Sequence, residues 1–339
     1  MKINTWFGTL EIDSTGEILE SLFLSKDIRE LALHSLSLRD SKSDLPPEGF
    51  DLKNAAIKSG FVNSPAAYYS LLHEVTLEAA KLQVSGALTP DQRIIQAVEA
   101  LDDINETTNA LSERLSEWYG GYFPESGLGG EDLALFIVKY GSRENVGSED
   151  PLYSKARNSM GAKLEPADEI LLIGFAENVC SLYERRRQIE AYIENSMELV
   201  APNLKLIAGP MLGARLISLA GSLKKLAEFP SSTIQVIGAS KALFKHLRAR
   251  APSPKHGIIY SHPLINTAPW WVRGKVARAV ASKLSLAARI DFYSGEIEPS
   301  IMEKLEAKVL QIRTLNPRPP QKKAGKWSKA KEKEEKVNA

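Results

Sequence analysis

The sequence predicts a mainly α protein that has a small α+β N-terminal domain, a long antiparallel coiled coil and an all-helical C-terminal domain. Three observations support this fold class: β-type composition is confined to the residues before Ser25, apolar residues recur at helical spacing in two long stretches, and a basic helical region begins at Pro202. We expect domains at residues 1–88, 89–200 and 201–315. Residues 316–339 are rich in Pro, Lys and Glu and are predicted to form a disordered basic tail.

The composition is typical of a folded protein and gives no sign of a membrane or secreted one. With 339 residues, of which 43% are hydrophobic and 25% charged, the chain is long enough for two or three domains. Its longest strongly apolar run, Ile170–Ala176, is far shorter than the roughly 20 residues of a membrane span, and the start, MKINTWFG, lacks the layout of a signal peptide. The single cysteine, Cys180, excludes an internal disulfide and a cysteine-based zinc site. We therefore expect a cytoplasmic protein that does not interact with membranes.

The net charge of +1 conceals a strong separation of charge along the chain. Residues 1–150 contain 12 Lys and Arg against 25 Asp and Glu, whereas residues 229–290 contain 10 Lys and Arg and no acidic residue. A block of one sign within a folded segment indicates a surface that binds a polyanion. A solvated basic face without a partner is the alternative, but such faces normally mix charges of both signs. The segment 229–290 therefore predicts a nucleic-acid interface.

The N-terminal domain is predicted to combine β-strands with short helices. Two segments of β-type composition, Ile3–Ile12 and Ile18–Leu24, flank the turn-prone residues Asp13–Gly16, and helical segments follow to about Ser85. The acidic composition of this domain favours docking of a partner. A solvated acidic surface is the alternative that its residues leave open.

Two long helices are predicted in the centre of the chain. The first begins at Thr89-Pro90, where an N-cap residue precedes a proline, and ends at Gly120-Gly121. The second runs from about Pro166 to Val200 and is about 50 Å long. A glycine-rich linker separates them, and together they predict an antiparallel coiled coil that projects from the body. The predicted apolar stripe of the first helix consists of Ile94, Val98, Leu101, Ile104, Leu111, Leu115 and Trp118. That of the second consists of Ile170, Ile173, Ala176, Cys180, Tyr183, Ile189, Ile193, Met197 and Val200.

The acid-free segment contains a predicted helix, GASKALFKHLRAR, that begins at Gly238. At about 100° per residue, its cations and its leucines fall on opposite faces, so that one face can contact a core and the other can contact a polyanion. The cationic face consists of Lys241, Lys245 and Arg248, and the apolar face consists of Leu243 and Leu247. Free backbone N–H groups at the helix N-terminus suit a phosphate. The Ser240 hydroxyl at this end can either bind the phosphate or cap the helix.

A second amphipathic helix is predicted from about Pro269 to Arg289. Its predicted buried residues are Val276, Val280, Leu284 and Ala287, and its predicted polar face consists of Lys275, Arg278, Ser282, Ser285 and Arg289. A proline-rich loop between the two basic helices carries Lys255, His256 and His262. Trp270 and Trp271 are expected to be packing anchors, with stacking on bases as the alternative.

Seven motifs between about Asp91 and Gly295 carry a family resemblance. The first long helix and its exit contain DQRIIQAVEALDD and EWYGGYFPE, and NSMGAKLEPADE leads into the second helix. The basic region contains APNLKLIAGPMLGARLISLAGSLKKLA, SSTIQVIGASKALFKHLR, KHGIIYSHP and TAPWWVRGKVARAVASKLSLAARIDFYSG. On these motifs the chain resembles the Nop family, the scaffold proteins of box C/D ribonucleoproteins, and its length and short tail resemble the archaeal branch.

The resemblance implies a function for each domain. It implies that the N-terminal domain binds the methyltransferase fibrillarin, that the coiled coil pairs two copies of the chain, and that the C-terminal Nop domain binds a box C/D guide RNA beside a kink-turn-binding ribosomal-protein-like partner. The chemistry of the family is 2′-O-methylation of ribose in rRNA or tRNA. The resemblance places S-adenosylmethionine on fibrillarin, so that this chain is expected to hold no cofactor and no metal.

The same resemblance carries the RNA contacts of the family onto Gly238–Arg248. The candidate RNA-binding residues are Gly238, Ala239, Ser240, Lys241, Lys245, Arg248, Lys255, His256, Arg273, Lys275 and Arg278. The family loop is usually Gly-Ala-Glu-Lys, whereas Ser240 replaces the glutamate in this chain. The first 85 residues match the family only weakly, so that fibrillarin docking follows from the order of the domains.

Three other functions are open to a chain with these features. One is a splicing-type Nop scaffold that binds a small nuclear RNA without fibrillarin, and another is a purely structural coiled-coil protein. The third is an RNA methyltransferase in its own right, which the sequence disfavours because it has no glycine-rich loop after a buried strand and no clustered acid, base and nucleophile. The GLGG run at Gly127–Gly130 is weak support for such an enzyme because it lies in the predicted linker. We therefore expect a protein without catalytic residues.

Overall fold

The computed structural model describes residues 1–13, 17–40, 46, 49–240, 242, 244, 248 and 253–319. Among the predicted features, Lys241, Lys245, Leu243, Leu247, most of the Asp13–Gly16 turn and most of the predicted tail lie outside the described residues. Backbone contacts divide the chain into two compact units, Met1–Thr89 and Pro90–Ala339. The described residues confirm a mainly α fold with a small sheet near the N-terminus. No helix within them is long and apolar enough to cross a membrane.

The first unit contains a three-stranded antiparallel sheet in the order β1-β2-β3. Its strands are β1 Lys2–Thr5, β2 Gly8–Ile12 and β3 Ile18–Phe23. The prediction of a single β segment over Ile3–Ile12 was wrong because the chain reverses at Trp6 and Phe7 to form a hairpin. Gly8 enables this turn, since its φ is +148° and an added Cβ would overlap the Leu22 carbonyl of β3.

Three helices and a cluster of aromatic rings complete the first unit. The helices are α1 Ile28–Asp40, α2 Leu52–Lys58 and α3 Pro65–Ala87. The rings of Phe7 and Phe61 stack at 4.9 Å between centroids, and Trp6 packs edge-on against both. The Trp6 indole N–H donates to the Tyr68 hydroxyl at 3.2 Å. This buried cluster joins the hairpin to α3 and gives the unit a core of its own.

The second unit is built on two long antiparallel helices, α4 Pro90–Gly120 and α7 Pro166–Val200. Near one end, Ile94 of α4 shares a core with Ile193 and Met197 of α7. Near the other end, Leu115 shares a second core with Leu172. Both helices have the predicted bounds, and their pairing confirms the antiparallel coiled coil within this chain.

The apolar stripe predicted for α7 was partly wrong. Ile170 is 73% exposed, whereas Leu172 and Val179, which the stripe omits, are fully buried. The reason is that the connector between the long helices also packs on α7, so that the buried face is not set by α4 alone.

The connector is folded and is not the predicted glycine-rich linker. It contains the short helical turns Pro124–Ser126 and Arg143–Asn145 and the helices α5 Gly130–Tyr140 and α6 Tyr153–Arg157. Positive φ angles at Gly127 and Gly130 turn the chain into α5. The buried Tyr119 hydroxyl donates to the Gly141 carbonyl at 2.9 Å, which fixes the end of α5 on α4. The two glycines therefore serve as turn residues in a compact cap over the end of the helical pair.

The structure gives the bounds of seven further helices after Val200, all outside the partly described stretch 241–252. They are α8 Pro202–Ala208, α9 Pro210–Ala220, α10 Leu223–Glu228, α11 Ser231–Val236, α12 Pro263–Asn266, α13 Arg273–Tyr293 and α14 Ser300–Leu315. Helix α13 lies at the centre and contacts α8, α10, α11, α12 and α14. Its predicted buried stripe is confirmed, since Val276, Val280, Leu284 and Ala287 are all fully buried.

A buried polar cluster joins the end of α13 to the beginning of α8. The Asp291 carboxylate accepts hydrogen bonds from the Asn203 N–H at 3.0 Å, the Asn203 side-chain amide at 2.7 Å and the Leu204 N–H at 2.8 Å. Asn203 also accepts from the Glu298 N–H at 2.7 Å. Burial raises the pKa of the Asp291 carboxyl, and the three N–H donors act in the opposite direction. The cluster thereby ties three separate segments of the basic region together.

Candidate nucleic-acid interface

The predicted site begins with a tight turn after α11. Gly238 has a φ of +80°, and the Ala239 N–H donates to the Val236 carbonyl at 3.0 Å. The loop that carries Lys255 pairs with this turn through backbone hydrogen bonds. The Ile258 N–H donates to the Ile237 carbonyl at 2.8 Å, and the Gly257 N–H donates to the Gln235 carbonyl at 2.8 Å. These bonds hold the start of the basic helix and the loop side by side.

Gly257 is the residue that allows this close pairing. A Cβ added to Gly257 would overlap the Ile237 carbonyl, and one added to Gly238 would lie 3.2 Å from the Ile258 Cβ. The Gln235 side-chain amide adds a further bond to the Lys255 carbonyl at 2.7 Å. The segments that carry Gly238 and Lys255 therefore lie side by side, because Gly257 and Gly238 leave room for the neighbouring chain.

A stack of cations and aromatic rings extends the site towards α13. The His256 ring lies parallel to the Tyr260 ring, 4.6 Å between centroids, and the Arg273 guanidinium lies 5.4 Å from the centre of the Tyr260 ring. Arg273 also donates to the Ala268 carbonyl at 3.1 and 3.3 Å. The stem of Lys255 passes Gly274, where an added Cβ would lie 3.7 Å from the Lys255 Cδ atom. The structure therefore brings Lys255, His256 and Arg273 together around Tyr260.

The charge state of His256 follows from this arrangement. Burial lowers the pKa of the His256 imidazole, and the nearby charges of Arg273 and Lys255 lower it further. The ring is therefore neutral at pH 7. One face of it stacks on the Tyr260 ring, and one ring nitrogen can donate a hydrogen bond while the other accepts one.

The predicted basic helix after Ser240 is described at only three positions. Ala242, Phe244 and Arg248 are helical and exposed. The Arg248 guanidinium lies 4.5 Å from the centre of the Phe244 ring. Arg248 thus presents its charge to solvent on an aromatic support.

Lys275 and Arg278 lie on a different face of α13 from the stack. Both side chains are exposed, and the Lys275 ammonium donates to the Asn316 side-chain oxygen at 2.7 Å. The predicted polar face was wrong at Ser285, which is buried with its hydroxyl 3.3 Å from the Phe229 carbonyl. Arg289 is exposed as predicted and donates to the Ala227 carbonyl at 3.0 Å. Ser285 is buried because α10 and α11 pack against this side of α13.

Two other residues of the loop region have structural positions. His262 is 3% exposed, its Nε2 lies 2.8 Å from the Ile207 carbonyl, and its Nδ1 accepts from the Leu264 N–H at 3.1 Å. Trp271 is half-buried and donates to the Asn316 carbonyl at 3.0 Å, as expected of a packing anchor. Trp270 is 59% exposed, so the same expectation was wrong for it.

The described part of the site is strongly cationic and contains no cluster of metal-ligating side chains. Among the described residues, no cation of the segment 229–290 takes part in a salt bridge. Nor do those residues contain a group of three or more His, Cys, Asp and Glu side chains that could hold a metal ion. The arrangement can bind an anion through charge and through backbone N–H groups, and it can stack on a flat ring. Tyr260 and Gly257 were missed by the sequence reasoning, although an aromatic residue between two cationic positions is a recognisable signal.

Comparisons with known proteins agree on one family. Residues 100–312 match the family model described as Nop, snoRNA binding domain, fibrillarin. An uncharacterized NOP5 family protein of Methanocaldococcus jannaschii is 44% identical over 275 residues, which cover 77% of this chain and 66% of the relative. Nucleolar protein 58 of Mycosarcoma maydis is 38% identical over 215 residues, which cover 59% of this chain and 37% of the relative. The chain thus spans less than two thirds of the length of these curated relatives.

A solved structure of a fibrillarin/Nop5p complex contains a chain with some likeness to this one. The TM-score is 0.46 and the sequence identity is 26%, with 92% of this chain and 100% of that chain covered.

Proposed function

The chain belongs to the Nop family, and from this premise we propose that it is a non-catalytic scaffold of an archaeal box C/D guide ribonucleoprotein. In this proposal the basic region binds a guide RNA together with a kink-turn-binding protein. The first unit holds fibrillarin, which methylates the 2′-hydroxyl of ribose in rRNA or tRNA. The chain itself contributes position and no catalytic group.

The observation that carries this proposal is the convergence of cations from distant segments on one surface. Lys255 and Arg273 lie beside the Tyr260 and His256 rings, and the Gly238 turn is hydrogen-bonded to the same loop. Cations without acidic partners attract phosphates, and aromatic rings at the same place can stack on an unpaired base. The site is therefore suited to RNA that is bent or locally unpaired, and such RNA is what a kink-turn protein presents.

Ser240 removes a negative charge from this surface. The position that is usually glutamate in the family carries a hydroxyl here, so that the segment 229–290 has no acidic residue. Ser240 is exposed beside the turn formed by Gly238 and Ala239. Its hydroxyl can donate to a phosphate oxygen, whereas a carboxylate at the same place would repel one.

Pairing of two copies is the proposed role of the far end of the helical pair. Helices α5 and α7 pack against each other there and expose apolar side chains on both. The exposed apolar residues are Leu135, Val138, Ile170 and Leu171. Their burial between two copies would remove apolar surface from water, which supports self-association through this region.

Charge reversal at the interface tests the proposal. We expect the double variant Arg248→Glu/Lys255→Glu to bind a guide RNA, loaded with its kink-turn protein, about 100-fold more weakly, because two attractions to phosphate become repulsions. Fluorescence anisotropy with labelled RNA measures the affinity, and a methylation assay with fibrillarin should show a parallel loss.

The control is Lys155→Glu, which reverses an exposed cation of α6 at the far end of the helical pair. We expect this control to bind RNA within about threefold of the wild type. Equal affinity of the double variant and the wild type would refute the assignment of this surface.

A further inference from the structure

A second basic surface lies between α13 and α14, on the face of α13 that carries Lys275 and Arg278 and away from the stack around Tyr260. The two helices enclose a groove of about 530 Å³. Five cations line it, three from α13 and two from α14. They are Lys275, Arg278, Lys283, Lys304 and Lys308. Two of them, Lys304 and Lys308, follow the acid-free segment and were not singled out from the sequence.

None of the five cations takes part in a salt bridge among the described residues. Lys304 does lie near an acidic side chain, since the Ser300 hydrogen bond and also the Lys304 charge lower the pKa of the Glu298 carboxyl. The contacts recorded for three of the lysines are to neutral oxygens. The Lys275 ammonium donates to the Asn316 side chain, that of Lys304 to the Ser300 hydroxyl at 2.7 Å, and that of Lys308 to the Gln311 side chain at 2.9 Å. Five positive charges around one groove repel each other, and a bound polyanion relieves this repulsion.

The spacing of the charges fits a nucleic-acid strand. From Lys275 to Lys283 the axis of α13 advances about 12 Å. A stacked strand carries one phosphate roughly every 3.4 Å, so that this length faces about three phosphates. Lys304 and Lys308 are one turn apart on α14 and can contact the strand from the other side. The lining also includes the apolar residues Ala279, Leu305 and Ile312, which cannot hydrogen-bond to a base edge, together with the Ser282 hydroxyl.

The groove is connected to the first site around the beginning of α13. The Arg273 of the first site is two residues before Lys275. Trp271 donates to the Asn316 carbonyl, and Lys275 donates to the side chain of the same asparagine. Trp270, which directly precedes Trp271 in the sequence, is exposed. A strand that leaves Arg273 can therefore pass the start of α13 and enter the groove over a short distance.

We infer that the groove between α13 and α14 binds the phosphate backbone of an RNA strand that extends beyond the first site. This inference rests on the proposed function, since it concerns the same RNA. The contact is independent of sequence, because only backbone charge is recognised. An acidic peptide has related chemistry, but RNA is favoured because α13 carries cations of both surfaces.

The test compares two RNAs on the full-length chain. One is a minimal kink-turn RNA loaded with its kink-turn protein, and the other is the same RNA with a single-stranded extension of ten nucleotides. The variant is Lys304→Glu/Lys308→Glu. The control is Lys155→Glu/Arg313→Glu, which changes the charge equally but lies outside the groove.

We expect the groove variant to bind the extended RNA about 10-fold more weakly than the control does, and to bind the minimal RNA within about twofold of it. The slope of log affinity against log salt for the extended RNA should fall by about 1.4, which corresponds to two lost phosphate contacts on a single strand. Poly-glutamate, tested as a competitor, should not displace the extension from the wild type at equal charge concentration.

Each other outcome overturns the inference in a recognisable way. An equal loss on both RNAs would assign the two lysines to the first site, and no loss on either would leave the groove without a role in RNA binding. Tight binding of poly-glutamate that depends on Lys304 and Lys308, with no effect on RNA, would make the groove a peptide site. If the wild-type chain binds neither RNA, the proposed function itself fails.

Discussion

His262 anchors the loop that presents Lys255 and His256. Its ring is buried and uses both nitrogens, since Nε2–H donates to the Ile207 carbonyl of α8 and Nδ1 accepts from the Leu264 N–H. Burial lowers the pKa of His262, and the bond to Ile207 acts in the opposite direction. Protonation of Nδ1 would also turn this acceptor into a donor that faces the Leu264 N–H, and the hydrogen bond between them would be lost. The folded state therefore requires the neutral ring.

This requirement predicts a pH-dependent stability. Because the pKa of His262 is lower in the folded chain than the usual value of about 6.5, its contribution to the free energy of unfolding is complete above that pH and is lost as pH falls through the folded-state pKa. We expect the wild type to lose stability between pH 6.5 and pH 5, at no more than about 1.4 kcal/mol per pH unit from this residue.

The non-titrating variant His262→Gln should show a flatter dependence over the same range, since its amide can keep both hydrogen bonds. Urea unfolding at pH 7 and at pH 5 measures the difference. Identical pH dependence in the two proteins would contradict a role for this ring.

The same loop shows which site residues a sequence can predict. The resemblance to the Nop family gave Lys255, His256 and Arg273 as candidates, and the structure brings these three together. Gly257 and Tyr260 were not selected, because their roles depend on contacts with Ile237 and Arg273 that the chain creates only on folding. The position of the Tyr260 ring between cationic residues is a local signal, but the contacts of Gly257 with Ile237 and of Tyr260 with Arg273 join distant segments and leave no local pattern.

Helices α4 and α7 have a polar zone in the middle of their interface. Thr108 of α4 is 1% exposed, and its hydroxyl has no hydrogen-bond partner among the described residues. One turn further along α4, the Ser112 hydroxyl lies 3.3 Å from the Tyr183 hydroxyl of α7. A buried hydroxyl without a partner lowers stability by about 1–3 kcal/mol.

Replacement of this hydroxyl should stabilise the helical pair. The variant Thr108→Val keeps the size and branching of the side chain, and we expect its free energy of unfolding to rise by about 1 kcal/mol. The neighbouring exposed residue supplies the control, because Thr107→Val should change stability by no more than about 0.5 kcal/mol. Chemical denaturation measures both, and a loss of stability in Thr108→Val would show that the hydroxyl is bonded in solution.

Proline and glycine residues in the sequence predicted the ends of the long helices correctly, but glycine residues gave a wrong prediction for the connector. Pro90, Gly120 and Pro166 mark the ends of the long helices, where backbone constraints act within a few residues. The sequence predicts a linker at the connector because Gly127 and Gly130 resemble a flexible run. Its folding depends instead on a core that joins it to both long helices, which local composition does not reveal.

The whole molecule consists of two units with separate cores. The aromatic core of the first unit contains residues up to Leu82, and the cores of the second unit begin at Ile94. We therefore expect the fragment 90–319 to fold by itself and to bind the loaded guide RNA within about threefold of the full chain. It should fail to retain fibrillarin in a pull-down, since the proposed docking unit is absent.

Circular dichroism and anisotropy provide the measurements for this fragment. A fragment that is unfolded, or that binds RNA much more weakly, would show that the first unit supports the second. Retention of fibrillarin by the fragment would contradict the assignment of the first unit. If the full chain also fails to retain fibrillarin, the splicing-type scaffold becomes the better hypothesis.

The long helices share a hydrophobic core with the basic region at the end that contains Ile94 and Met197. Ile94, Ile193 and Met197 are packed into the same core as α13, so that the helical pair and the basic region turn together. Helix α7 has 35 residues and is about 52 Å long. A rotation of the basic region by about 5° therefore moves the far end by about 4.5 Å, given this length. If RNA binds the basic region as proposed, a small rotation of that region is thus amplified at the folded cap, where a second copy would be displaced by several ångströms.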